Sequence, residues 1–140
     1  MAYKKCCNFI IALLPLFFGG LIYICFRSEN LLLFSWARFF NINFSLLRQV
    51  NIGDSIISSY IIYNLPHGLW VLSGLLLLKT FIQNDFLLLF YSVIFIVMSV
   101  FYEIGQFYGI IRGTFDILDL ITIVIFSSLG LVISLKRSKT

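Results

Sequence analysis

The chain has 140 residues, 61% of them hydrophobic, 18% aromatic and only 11% charged, with a mean hydropathy of +1.03. Soluble domains are about 25% charged and about 45–50% apolar, so this composition excludes an ordinary soluble domain and reads as an all-α, polytopic integral membrane protein. The net charge of +4 comes with no basic patch interleaved with aromatics in a water-exposed segment, so nothing points to nucleic acid as a partner.

Lys4 and Lys5 precede an apolar run over 8–26, about the length that crosses ~30 Å of hydrocarbon. The basic start resembles a signal peptide, but Phe17-Phe18 ahead of Gly19-Gly20 breaks the small-residue cleavage pattern. Ile24 likewise stands where a lipoprotein signal places a small residue before its cysteine, here Cys25. A retained span is expected, kinked or loosened near Pro15. Cys6 and Cys7 read as reduced boundary thiols, with palmitoylation the eukaryotic alternative. No Cys-x-x-Cys appears and the one His is distant in sequence, so a zinc site is not expected.

Segment 27–65 is the long connection between spans one and two. Ser35, Arg38, Asn41, Ser45 and Arg48 recur at spacings of three and four, which a helix gathers on one face. Leu32, Leu33, Phe34, Trp36, Phe39, Phe40 and Phe44 fill much of the remainder. This predicts a helix lying in the interface, with a short membrane-dipping segment as the alternative. Asn51-Ile52-Gly53-Asp54 reads as a turn, with Asp54 or Ser55 capping a second surface helix to Tyr63.

The second span is expected over about 66–79, opened by Pro66, and the third over about 86–105. A link containing Gly109 and Gly113 leads to the fourth, about 115–135, which Thr114 can cap. One transmembrane domain of about four spans, with one or two interfacial helices between the first and second, is therefore expected. Four spans place Lys4, Lys5, Lys79, Lys136, Arg137 and Lys139 on one side, and Arg27, Arg38, Arg48 and Arg112 on the other. The excess of basic residues marks the cytoplasmic side, which predicts N-in and C-in.

Four ionisable groups, Glu103, Arg112, Asp116 and Asp119, fall between positions 103 and 119, flanked by apolar runs. A charge at membrane depth costs at least ~2.5–3.5 kcal/mol, so such residues are rarely incidental. Glu103 and Gln106 are three apart, as are Asp116 and Asp119, so each pair shares a helix face. The short link brings both faces together at the outer end, where His67 opens span two.

Three chemistries fit. Glu103, Asp116 and Asp119 suit a hard divalent cation such as Mg²⁺. Gln106, Arg112 and Asp116 suit substrate binding, the Arg fork taking a phosphate oxygen. His67, Glu103 and Asp119 suit general acid–base catalysis. The structural alternative is that Arg112 pairs with Asp116 or Glu103 and locks the hairpin, with acidic residues favoured at the helix N-terminus in any case. No paired-aspartate, metalloprotease or Walker-type motif is present, and the Arg112-x3-Asp116-x2-Asp119 pattern lacks the rest of the CDP-alcohol phosphotransferase motif.

Glu103-x2-Gln106, Arg112, Asp116-x2-Asp119 and Gly130, with His67 at the start of an earlier span, resemble the VanZ-like membrane proteins over roughly residues 60–132. Their Asn within the last span is not evident here; Ser127 and Ser128 are the nearest polar residues. The resemblance implies a bacterial cell-envelope protein of the inner membrane, associated with teicoplanin-type glycopeptide resistance, and it supplies no reaction. The function expected is binding of an anionic or phosphorylated envelope lipid. The alternatives are an intramembrane hydrolase or transferase acting on such a lipid, and a transport or assembly subunit whose polar cluster only joins helices.

Overall fold

The computed structural model describes residues 2–26, 32–42, 44 and 55–136. These form six helices: α1 (Ala2–Phe26), α2 (Leu32–Phe39), α3 (Ile56–Tyr63), α4 (Leu65–Phe81), α5 (Asp85–Phe107) and α6 (Ile117–Leu135). Within α1, α5 and α6 lie three segments long and apolar enough to cross a membrane. α3 and α4 qualify as a fourth only if taken together, across a bend of 40°.

That bend follows from local chemistry. Pro66 has no N–H to offer the carbonyl of Ile62, and its ring disfavours helix at the residue before it. The helix therefore stops at Asn64 and restarts with Pro66 in its first turn, where no amide partner is needed. Pro15 does not interrupt α1, which is helical throughout.

α4 is the hub. It packs along α1 on one side and α6 on the other, with α5 lying against both α4 and α6. Val71, Leu75 and Ile123 form the core, covered by Leu78, Phe95, Ile96 and Val100. Ser73 Oγ donates to the Ala12 carbonyl at 2.6 Å, and Ser134 Oγ to the Leu75 carbonyl at 3.3 Å. Small residues permit the close approach. A Cβ on Gly68 would stand 2.6 Å from Thr122 Cγ2 and against the ring of Phe126, both on α6.

The exterior is apolar and the interior mixes apolar with polar side chains, unlike a soluble protein. Phe17, Phe18, Phe90, Phe101, Val124 and Val132 face outward, while Glu103, Asp119, Thr122 and Ser127 are buried. Exposed apolar surface on this scale belongs against lipid or another protein.

Helix ends group into two sets. The Phe9 and Phe81 rings meet at 5.9 Å, and Lys79 Nζ donates to the Ile133 carbonyl, so the start of α1 shares an end with the last turns of α4 and α6. At the opposite end Tyr23 and Trp70 rings stand 5.5 Å apart.

Several expectations change in detail. The helix expected from about 115, α6, begins at Ile117, capped by Asp116 rather than Thr114, because the Asp116 carboxylate accepts the Leu118 amide at 2.9 Å. Ser55 is the cap of α3. α2 ends at Phe39, and Asn41 takes φ 56°, so Asn41 cannot continue the expected helical face with Ser35 and Arg38. Arg27, Ser45, Arg48 and the expected turn at 51–54 lie outside the described residues.

The packing distinguishes two glycines. Gly68→Ala should lower stability by about 1–3 kcal/mol through overpacking. Gly20→Ala, with nothing within 4 Å of its added carbon, should be neutral or stabilise by up to about 1 kcal/mol. Thermal unfolding of the detergent-purified variants measures both.

Candidate functional site

The link between α5 and α6 sets the geometry at the Trp70 end. α5 ends in a Schellman turn: Gly109 N–H donates to the Gln106 carbonyl at 3.0 Å and Ile110 N–H to the Gly105 carbonyl at 2.9 Å. Gly109 takes φ +67°, the left-handed conformation that this turn requires and glycine adopts without strain. Ile111 folds back onto Gly105. The chain is thereby returned to start α6 beside the last turn of α5.

Three sequence-predicted residues meet there. His67 Nδ1 lies 3.3 Å from Asp119 Oδ1, and His67 Nε2 lies 3.8 Å from Glu103 Oε1. One ligand-capable atom from each of His67, Glu103 and Asp119 falls within 4.8 Å of the other two. Glu103 is 1% exposed and Asp119 6%, whereas the His67 side chain is 24% exposed and so faces the end of the bundle. Glu103 Oε2 and His67 Nδ1 are buried and have no hydrogen-bond partner among the described residues.

Asp116 is committed elsewhere. Its Oδ1 caps α6, and its Oδ2 accepts from Asn64 Nδ2 at 3.0 Å. The same Asn64 nitrogen donates to Asp119 Oδ1 at 2.9 Å. Ionised carboxylates only accept, so the Asn64 amide must turn its NH₂ toward them, one proton to each. Gln106 is half-buried and packs against Gly113 in the link. Arg112 is exposed on the link and forms no ion pair with Glu103, Asp116 or Asp119. The hairpin is therefore turned by the Schellman motif rather than closed by an arginine lock, and Asn64 ties the start of α6 to the α3–α4 break.

Sequence reasoning missed Asn64, which is 2% exposed, and Tyr60, whose hydroxyl hydrogen-bonds Thr122 Oγ1 at 2.8 Å. Asn64 reads as a loop residue ahead of Pro66. The available signal is its spacing of three before His67, which aligns the two on one turn despite the break. Gly130, matched by the motif, is buried far along α6 against Leu75 and plays a packing role.

The site can hold a cation or a proton between two carboxylates and an imidazole, with one edge open at His67. It is not, by its own charges, an anion site.

Replacing Asn64 tests its part. Asn64→Ala should destabilise by about 1–3 kcal/mol, since Asp116 and Asp119 lose their shared donor. Asn64→Asp should be worse, because it adds a third carboxylate and removes the donor. Thermal melting gives the order.

No family model, no characterised protein and no solved structure matches this chain. The VanZ-like resemblance rests on the motif residues alone.

Proposed function

We propose that this is a VanZ-like cell-envelope protein that spans the bacterial inner membrane four times, through α1, the bent α3–α4 pair, α5 and α6. Its termini lie inside, and the His67–Glu103–Asp119 end lies at the outer leaflet. There it binds the headgroup of an anionic or phosphorylated envelope lipid, with Arg112 supplying the anion contact. The observation that carries this reading is Glu103, which is 1% exposed and has a carboxylate oxygen without a partner. An unpaired buried carboxylate is costly and is rarely kept for structure alone. Two carboxylates repel a bare phosphate, so the headgroup is bound at the His67 rim, with the charge of the triad compensated.

One observation favours the enzymatic reading, an intramembrane hydrolase or transferase. His67 Nδ1 is 3.3 Å from Asp119 Oδ1 but makes no hydrogen bond to it, and such poorly aligned pairs tighten when substrate binds. Asp119 would then orient His67 as acid–base group.

Single cysteines in a Cys6, Cys7 and Cys25 replaced background test the topology. Position 109 should label with impermeant maleimide from outside, and position 83 only after the membrane is opened. Labelling of 109 from the cytoplasm overturns the outer-leaflet reading.

Lipid binding is tested with phosphatidic acid against phosphatidylcholine, followed by native mass spectrometry of the protein in nanodiscs. Phosphatidic acid should be retained preferentially, and Arg112→Gln should weaken it by about 1 kcal/mol or more, as for a hydrogen bond to a charged group. Equal retention of the two lipids removes the headgroup reading.

A further inference from the structure

We propose that His67, Glu103 and Asp119 form a binding site for a divalent transition-metal cation of the Zn²⁺ or Mn²⁺ class, held by one imidazole nitrogen and two carboxylate oxygens, with a coordination position left open at the His67 edge. This rests on reading the triad as a binding site, and names what binds there first.

The geometry has the form of ligands arranged around a missing centre. His67 Nδ1 and Asp119 Oδ1 are 3.3 Å apart, yet Nδ1 makes no hydrogen bond. Atoms that close are normally a donor and acceptor in line. Two ligands of one tetrahedral ion at ~2.0–2.1 Å, by contrast, stand ~3.3–3.4 Å apart and point at a shared third point. Glu103 is the independent indication. Its side chain is wholly enclosed, its Oε1 is 3.8 Å from the other imidazole nitrogen, Nε2, and its Oε2 has no hydrogen-bond partner. The three ligand atoms lie within 4.8 Å of one another, and no hydrogen bond ties the Glu103 carboxylate elsewhere.

Ligand identity selects the cation. Mg²⁺ and Ca²⁺ are bound through oxygen, whereas imidazole with carboxylates suits Zn²⁺, Mn²⁺ and their neighbours. The expected all-carboxylate set of Glu103, Asp116 and Asp119 is not what converges, because Asp116 is used by the α6 cap and by Asn64. Nor do the cysteines contribute: Cys6 and Cys7 are exposed on the first turns of α1, at the opposite end of the bundle, and Cys25, near the end of α1, is not among the ligand atoms that converge. Asn64 supports the site from behind its Asp119 ligand. It donates to Asp119 Oδ1 and fixes that carboxylate's orientation, as outer-shell partners do at metal sites. Three protein ligands leave room for water or a phosphate oxygen, which removes the repulsion between an anionic headgroup and the bare carboxylates.

The test uses the full chain in phosphatidylcholine nanodiscs. Trp36→Phe leaves Trp70 as the sole tryptophan, its ring 6.1 Å from that of His67. Co²⁺ should quench Trp70 emission saturably. Stoichiometric Zn²⁺ should reverse the quenching, and millimolar Mg²⁺ should not. Glu103→Gln and Asp119→Asn should each weaken Co²⁺ binding by at least ~10-fold. Zn²⁺ should also raise the Tm of the unsubstituted protein and a chelator should return it, a readout that holds even if a variant does not fold. Absence of saturable quenching, absence of a Zn²⁺-dependent Tm shift, displacement by Mg²⁺ as effective as by Zn²⁺, or wild-type affinity in folded Glu103→Gln overturns the site. Phosphatidic acid retention, measured with and without chelator, separates this from the lipid reading. Retention without any Co²⁺ binding removes the metal alone, and Co²⁺ binding without retention removes the lipid alone.

Discussion

The Asn64 side chain determines much of what surrounds it. One amide nitrogen donates to Asp116 and to Asp119, so two like charges at the start of α6 are held by a single neutral group from the α3–α4 break. Remove that donor and the two carboxylates repel each other in a setting with little water to screen them. With it, Asp116 is free to cap α6 through its other oxygen, and Asp119 is aimed inward toward His67. Asn64 stands at the Pro66 break, on one turn with His67, and both reach Asp119 from there. A sequence element that weakens one helix thus fixes the position of another.

The rest of the bundle follows the same logic with smaller groups. Ser73 and Ser134 hydrogen-bond backbone carbonyls of neighbouring helices, and Tyr60 meets Thr122. Such contacts, together with small residues at the crossings, are how helices associate when their outer surfaces are as apolar as lipid. The packing of α4 between α1 and α6 depends on them, since the apolar exterior supplies no preference for one neighbour over another.

The sequence was most readable where periodicity or punctuation is strong. The apolar runs locate α5 and α6 to within two residues and the end of α1 at Phe26, although α1 starts at Ala2, ahead of the apolar run, and Pro66 marks the start of α4. The i, i+3 pairs Glu103/Gln106 and Asp116/Asp119 identify the polar end, and a short link brings those ends together. Which members of each pair converge was not readable. Asp119 joins His67 and Glu103 while Asp116 does not, because the link's exit places Asp116 at the cap, with an extended backbone, one residue before the helix begins. Asn64 escaped notice because a lone Asn before Leu-Pro has the composition of a loop, and only the fold shows it enclosed. The polar periodicity of 35–48 overstated α2, which stops at Phe39, where Asn41 turns left-handed.

The division of α3 from α4 has a consequence for how the chain is built. Tyr60, Asn64 and His67 find their partners at the start of α6, which is synthesised after them, and His67 also on α5. When α4 first reaches the translocation machinery, none of those partners exists. An unbroken helix would have to carry three unsatisfied polar side chains into hydrocarbon. A helix hinged at Asn64 can bury its Val71–Leu78 half early and leave the polar half at the water boundary until α6 arrives. The break thus allows the polar half to wait at the water boundary, since the contacts of Asn64 with Asp116 and Asp119 can form only after α6 is made.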